Sequence, residues 1–444
     1  MTDMPNKLWG YRYNIVGITF LLYFINYFDR VAVLTFLPLI QKDLGLSAVQ
    51  LGWLASTFFF VYACGQVLAG FLCDKIGPKR TMNIAIWAFT LVTGVTAMVQ
   101  TFWQFICLRV GLALGESQHY APTLRMLANW FPRNELAKAT GMFNSSVSVA
   151  PALVPIVCTQ LAFLFGDWRP VFIVLAVPGF LGIYLLWKYV SDTPEERLGK
   201  DVTEEEYKHI TSPSDQSASP AQPVPAADAG EPVRTNIFYT DPHFYIYCCA
   251  IFFMNSLFWG YLVWMSTFLV RQHGFDIRTM GFIATAPYVT AFLSQVIGGT
   301  MASTWFVKKP KVVGMISFAG CIPSLYWIGQ IPKGETALLI IGLICGGFFI
   351  HLMYGMMYSW PGRRYPKEVV GRAVGFSNGF SQLGAFLSPL IAGYLVVTLA
   401  DNSYDFSNVF VFWTGVAVMG LLALSLLNED DVMKYRARSA AGGR

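Results

Sequence analysis

The chain has 444 residues, 55% of them hydrophobic and only 13% charged, with a mean hydropathy of +0.49. Water-soluble domains carry about 25% charged residues, so this composition excludes a soluble globular protein and indicates a polytopic membrane protein. The formal net charge of +5 does not call for a nucleic-acid partner, because the Lys and Arg residues sit in short loops between apolar runs, where membrane topology accounts for them.

Apolar runs of spanning length recur at about 13–40, 49–72, 82–100, 103–131, 137–165, 170–190, 243–270, 279–303, 311–331, 336–361, 370–399 and 406–427. A helix needs about 20 apolar residues to cross a bilayer, so these runs predict an all-α membrane protein with twelve transmembrane helices. The first run is too long for a signal-peptide core and lacks a small-residue cleavage site, so it reads as an uncleaved span. Lys7, Arg12, Lys75, Lys79, Arg80, Lys308, Lys309 and Arg364 fall on one side of the membrane in this scheme, while Lys42, Arg169, Arg271, Arg278 and Lys333 fall on the other. The excess places both termini in the cytoplasm, across a cell inner membrane. All eight cysteines lie within or at the ends of apolar runs, without metal-ligand spacing, and read as reduced core residues.

One long hydrophilic segment, rich in Glu and then in Ser and Pro, separates the sixth run from the seventh. The expected organisation is a six-helix bundle over 1–190, a cytoplasmic linker over 191–241, a second six-helix bundle over 242–430 and a cytoplasmic tail over 431–444. The two bundles are related. Gln66-Val67-Leu68-Ala69-Gly70 has a counterpart 229 positions further on in Gln295-Val296-Ile297-Gly298-Gly299. Pro132, Ala139, Gly141, Asn144, Leu153 and Pro155 recur 234 positions on as Pro366, Ala373, Gly375, Asn378, Leu387 and Pro389. Two matches at nearly one offset indicate duplication of a six-helix unit, and such pseudo-symmetric pairs hold their substrate near the midplane.

Within the first run, Asn26-Tyr27-Phe28-Asp29-Arg30 places two opposite charges in the middle of an apolar helix. Each costs about 2.5–3.5 kcal/mol to insert at the bilayer centre. In the fourth run Arg109 and Glu116 are two turns apart on one helical face, with His119 about one turn beyond. Charges so placed must face protein or water, and Asp29 and Arg30 are the natural partners of Arg109 and Glu116. A cluster that only fixes helix packing would have the same composition. The second half has no comparable intramembrane charge; its polar and aromatic residues, Tyr354 and Asn378 foremost, offer shape and hydrogen bonding, and His351 reads as a core residue.

The loop after the second run, Gly70-Phe71-Leu72-Cys73-Asp74-Lys75-Ile76-Gly77-Pro78-Lys79-Arg80, resembles the signature loop of the major facilitator superfamily. Lys75 stands in the usual Arg position. Read physically, Gly70 permits close helix approach, Asp74 accepts hydrogen bonds from a neighbouring helix N-terminus, and Lys75, Gly77 and Arg80 complete a gating latch. Tyr27-Phe28-Asp29-Arg30, the Arg109/Glu116 pair and Trp130-Phe131-Pro132 resemble the anion:cation symporter branch of that superfamily, which includes bacterial sugar-acid and aromatic-acid carriers. The resemblance implies two pseudo-symmetric six-helix bundles of the major facilitator fold. It further implies that Asp29 and Glu116 carry protons, that Arg30 contacts the anionic substrate, that Arg109 is coupled to Glu116, and that Tyr27, Tyr62 and Asn378 line the site. Ser117-Gln118-His119-Tyr120-Ala121-Pro122 departs from the branch's Ala-Pro-x-Phe-Pro after the Glu, so the substrate need not be a hexonate. His119 joins the expected substrate-binding set on that ground.

A monomeric symporter moving a small organic carboxylate with protons is therefore expected, with the lipid bilayer as its surroundings and no cofactor beyond the coupling proton. A uniporter or exchanger, or a ligand sensor built on the same frame, would share these residues. No metal cluster, Walker loop or nucleophile elbow suggests an enzyme.

Overall fold

The computed structural model describes residues 10–211, 237–354, 359–365 and 367–429; the remainder of the expected linker and the 431–444 tail lie outside them. The helices in chain order are α1 (Tyr11–Leu44), α2 (Ala48–Ile76), α3 (Pro78–Thr96), α4 (Phe102–Ser117), α5 (Tyr120–Trp130), α6 (Arg133–Asn144), α7 (Ser146–Phe165), α8 (Arg169–Tyr189), α9 (Glu204–Thr211), α10 (Pro242–Arg271), α11 (Ile277–Ile283), α12 (Ala286–Ser303), α13 (Lys311–Gln330), α14 (Thr336–Leu352), α15 (Ser359–Arg364), α16 (Lys367–Leu395) and α17 (Ser407–Leu426). Each expected run coincides with one helix or with a broken pair. Among the described residues, eight helical stretches are long and apolar enough to cross a membrane by length and composition. The other four runs fall short for physical reasons: the fourth is broken into α4 and α5, α14 is only 17 residues long, and α3 and α16 carry polar side chains such as Asn83, Ser377, Asn378 and Ser381.

The chain forms two compact units. The first comprises Met1–Val31, Val61–Pro151 and Phe165–Ala229. Here α3 packs on α4, α5 and α8. A Cβ on Gly115 would stand 3.1 Å from Ala88 Cβ and from the Phe89 backbone nitrogen, so glycine lets α4 approach α3 one residue before Glu116. A capping box starts α4: Thr101 Oγ1 accepts from the Gln104 amide and Gln104 Oε1 from the Thr101 amide.

The start of the linker docks on this unit. Glu206 of α9 accepts hydrogen bonds from the Tyr11 and Arg12 amides at 3.0 and 3.1 Å, satisfying orphan donors at the N-terminus of α1. Arg12 reaches Glu206 at 3.3 Å and Glu135 at 3.2 Å, and His209 lies 2.8 Å from the other Glu135 oxygen. The indole of buried Trp130 donates to the Ser191 carbonyl at 2.8 Å.

The second unit comprises Ala32–Phe60, Ala152–Leu164 and Gly230–Arg444. Helix α10 packs on α16 and α17, α13 on α14 and α17, and α12 on α14. A short antiparallel pair, β1 (Val397–Thr398) and β2 (Tyr404–Asp405), joins α16 to α17. Its Tyr404 hydroxyl accepts from Gln41 of α1, and the Arg271 guanidinium lies over the Tyr404 ring at 4.8 Å. At the start of α10, Asp241 is buried and accepts from the His243 amide at 3.0 Å, from Arg364 Nη2 at 2.9 Å, from Arg364 Nε and from the Tyr365 hydroxyl at 2.7 Å. Arg364 is thus a buried ion-pair partner, not a loop cation as the sequence suggests.

Candidate substrate-binding and proton-coupling site

Asp29, Arg30, Arg109 and Glu116 all lie in the first unit, and each is at most 2% exposed. Helix α1 delivers Asp29 and Arg30, and α4 delivers Arg109 and Glu116. Arg30 donates to Glu116 Oε2 from Nε at 2.9 Å and from Nη2 at 2.7 Å. Both bonds fall on one carboxylate oxygen, and Glu116 Oε1 has no hydrogen-bond partner among the described residues. Asn26, one turn before Arg30, accepts a long contact from Nη2 at 3.5 Å.

The guanidinium also lies over two aromatic rings. Its Cζ stands 4.5 Å from the Tyr27 ring centroid and 4.6 Å from that of Tyr62. Such contacts hold a planar cation in place without neutralising it. Arg109 is buried within electrostatic reach of both Glu116 and Arg30. Asp29 is buried within reach of Glu116 and of the Thr93 hydroxyl, and its Oδ1 has no hydrogen-bond partner among the described residues. A buried carboxylate oxygen without a donor is costly, and such exceptions concentrate where proteins work.

Span four breaks just past Glu116. Helix α4 ends at Ser117 and α5 starts at Tyr120, with His119 at its N-cap. Gln118 fastens the break by donating to the Gly65 carbonyl of α2 at 2.9 Å. Pro122, in the first turn of α5, is the sequence signal for this interruption, since proline is tolerated there and not in a helix interior. His119 is fully buried, its ring stacked on Tyr23 at 5.5 Å and 7°, and neither ring nitrogen has a hydrogen-bond partner among the described residues. Tyr23 meets Tyr27 edge-on at 5.2 Å. An aromatic wall therefore leads from His119 to Arg30, and periodicity alone gave no sign of Tyr23.

The expected second-half residues lie in the second unit. Tyr354 stacks on His351 at 5.9 Å and meets Phe258 at 5.6 Å. The His351 Nδ1 lies 2.7 Å from the Gly347 carbonyl, which can only accept, so Nδ1 carries the proton. The Asn378 carbonyl accepts from the Ser381 hydroxyl at 2.8 Å.

The gating loop is wired differently from its sequence reading. Asp74 is exposed and pairs with Arg125 of α5. The helix N-terminus is capped instead by Asp192, which accepts from the Lys79 amide at 2.6 Å. A Cβ at Gly70 would meet nothing within 4 Å, so no close approach depends on it. Gly77, at φ +86°, is where glycine is required, because a Cβ there would lie 2.9 Å from Asp192 Oδ2. Lys75 and Arg80 are exposed.

A helical membrane chain with a desolvated charge cluster in one compact unit has the makings of a carrier for a charged solute. The family model described as Major Facilitator Superfamily matches residues 19–337 and 278–442, and the chain belongs to that superfamily. It is therefore a multi-pass membrane transporter with the twelve-helix fold, not an enzyme. The chain is 29% identical over 433 residues to a probable galactarate/D-glucarate transporter of Escherichia coli, across 92% of this chain and 93% of that one. It is 27% identical over 425 residues to a probable sulfoacetate transporter of Cupriavidus necator, across 94% and 93%. The crystal structure of a D-xylose-proton symporter superposes with a TM-score of 0.74 at 14% identity, covering 94% of this chain and 97% of that chain.

Proposed function

We propose that the protein takes up a small organic carboxylate, a sugar acid or an aromatic acid, together with protons, across an inner membrane with both termini in the cytoplasm. The observation that carries this reading is the buried Arg30–Glu116 pair, with Arg30 lying over the Tyr27 and Tyr62 rings. The relatives named for galactarate, D-glucarate and sulfoacetate transport support an organic anion as cargo.

With both carboxylates ionised, Asp29 and Glu116 balance Arg30 and Arg109. Each proton taken up leaves one uncompensated positive charge, and a substrate carboxylate supplies the matching negative one. Protonation of Glu116 weakens its hold on Arg30, whose fork then binds the substrate carboxylate through two parallel hydrogen bonds. Loading by proton and by anion thereby favour each other. One proton per monoanion is electroneutral, and a second would add about 2.3 kcal/mol of driving force per 100 mV of membrane potential.

The test is uptake into proteoliposomes of a panel of carboxylates: galactarate, D-glucarate, D-galactonate, benzoate and 4-hydroxybenzoate. An inward proton gradient should drive accumulation of at least one of them, and Asp29→Asn and Glu116→Gln should each abolish that accumulation while leaving exchange measurable. Accumulation that is indifferent to the imposed gradient would make the protein a uniporter or exchanger.

A further inference from the structure

Glu116 and His119 present complementary unmet needs. Among the described residues, Glu116 Oε1 is a buried acceptor without a donor, and His119, three residues on, has two buried ring nitrogens without partners. Leaving such buried groups unpaired is costly, so a second arrangement that pairs them is within reach. The break at Gln118–His119 frees this turn from a continuous helical ladder, while Gln118 and the stack on Tyr23 fix where the imidazole stands.

We propose that His119 is a positioning residue that takes over Glu116 when Arg30 turns to the substrate. The inference rests on the reading of Arg30 as the anion-binding group. In the structure Arg30 holds Glu116. Once a substrate carboxylate occupies the guanidinium, Glu116 moves about one helical turn and hydrogen-bonds to His119. A neutral imidazole suits this task, since it carries one N–H and one lone pair. The N–H donates to an ionised Glu116, and the lone pair accepts from a protonated one. The carboxyl group therefore has a partner in either protonation state, and the substrate need not displace an arginine by leaving a carboxylate stranded. The charged and titratable groups facing this exchange are Arg30, Asp29, Tyr23 and Tyr27 on α1, Tyr62 on α2, Arg109 on α4 and Tyr120 on α5.

A thermal-unfolding cycle tests the exchange without a ligand, with Arg30→Gln standing for an arginine that no longer serves Glu116. In the wild-type background His119→Phe should leave the unfolding midpoint unchanged or raise it, because it removes an unpaired imidazole. In the Arg30→Gln background the same change should lower the midpoint by about 2 °C or more. His119→Gln, which keeps a donor and an acceptor, should recover most of that loss. The coupling should vanish when Glu116→Ala is added. Equal effects of His119→Phe in both backgrounds, or coupling that survives Glu116→Ala, would overturn the proposal. An Arg30→Ala protein that still accumulated an acid from the panel would instead remove the anion-site reading on which it rests.

Discussion

Asp29 and Asp241 are both buried carboxylates near the start of a half of the chain, and their surroundings are opposite. Asp241 accepts four hydrogen bonds, including two from Arg364, so each of its oxygens is satisfied. Among the described residues, Asp29 has an oxygen that accepts none, beside a second carboxylate, Glu116, with one oxygen in the same position. A fully bonded buried ion pair has nowhere to go, because breaking it exposes charge to a low dielectric. A half-bonded cluster has exchangeable partners. The second unit's buried carboxylate is thus fully bonded, whereas those of the first unit each keep an oxygen without a partner among the described residues.

Exchanging each aspartate for its neutral isostere separates the two roles, and the largest effect is on transport. Asp29→Asn should abolish proton-driven accumulation of the transported acid while leaving the unfolding midpoint level or higher, since an under-satisfied charge has been removed. Asp241→Asn should do the reverse. Removing one partner of a buried pair costs about 3–5 kcal/mol, so its unfolding midpoint should drop sharply while any protein that folds keeps its proton dependence. An Asp29→Asn protein as unstable as Asp241→Asn would erase the distinction.

A smaller effect separates two glycines. Gly77→Ala forces a side chain into the left-handed region and against Asp192, and should lower stability by about 1–2 kcal/mol. Gly70→Ala, with open space around the new methyl, should be silent or slightly stabilising through its better helix propensity. Equal losses at both positions would return the tight contact to Gly70.

Much of this was legible because membrane helices announce themselves. Twelve apolar runs, a repeat offset and charges in apolar surroundings were enough to define the fold and to pick out Asp29, Arg30, Arg109 and Glu116. What stayed hidden depends on who meets whom. The Asp74 carboxylate and the Asp192 carboxylate have equal claims on a helix N-terminus from sequence alone, and only packing gives it to Asp192. Arg364 reads as a loop cation until Asp241, 123 residues earlier, is seen against it. The repeat did contain a hint, since at the 234-residue offset Arg364 and Tyr365 stand where the first half has Trp130 and Phe131. In both halves that position ties down the end of a broken helix, through an indole–carbonyl bond in one and an ion pair in the other.

The ties at the starts of α1 and α10 differ in the same sense, and pH distinguishes them. Asp241 caps α10 from within the fold, whereas α1 is held by Glu206 and, through Arg12, by Glu135 at the half-exposed edge of the unit. Burial alone would raise the Glu135 carboxyl, but the hydrogen bond to His209 and the Arg12 charge outweigh it and hold the group below its ordinary 4.5. A depressed carboxylate adds stability above its unfolded value and loses it as the pH falls through the folded one. The clasp should therefore stay closed at neutral pH and open only below about pH 4.5. Limited proteolysis of the linker, run from pH 7 downward, should show accelerated cleavage near residue 200 only at the acid end. Glu135→Gln should already cleave faster at pH 7, by a modest factor because the site is solvent-screened. A Glu135→Gln protein cleaved no faster than the wild type at pH 7 would remove Glu135 from the clasp.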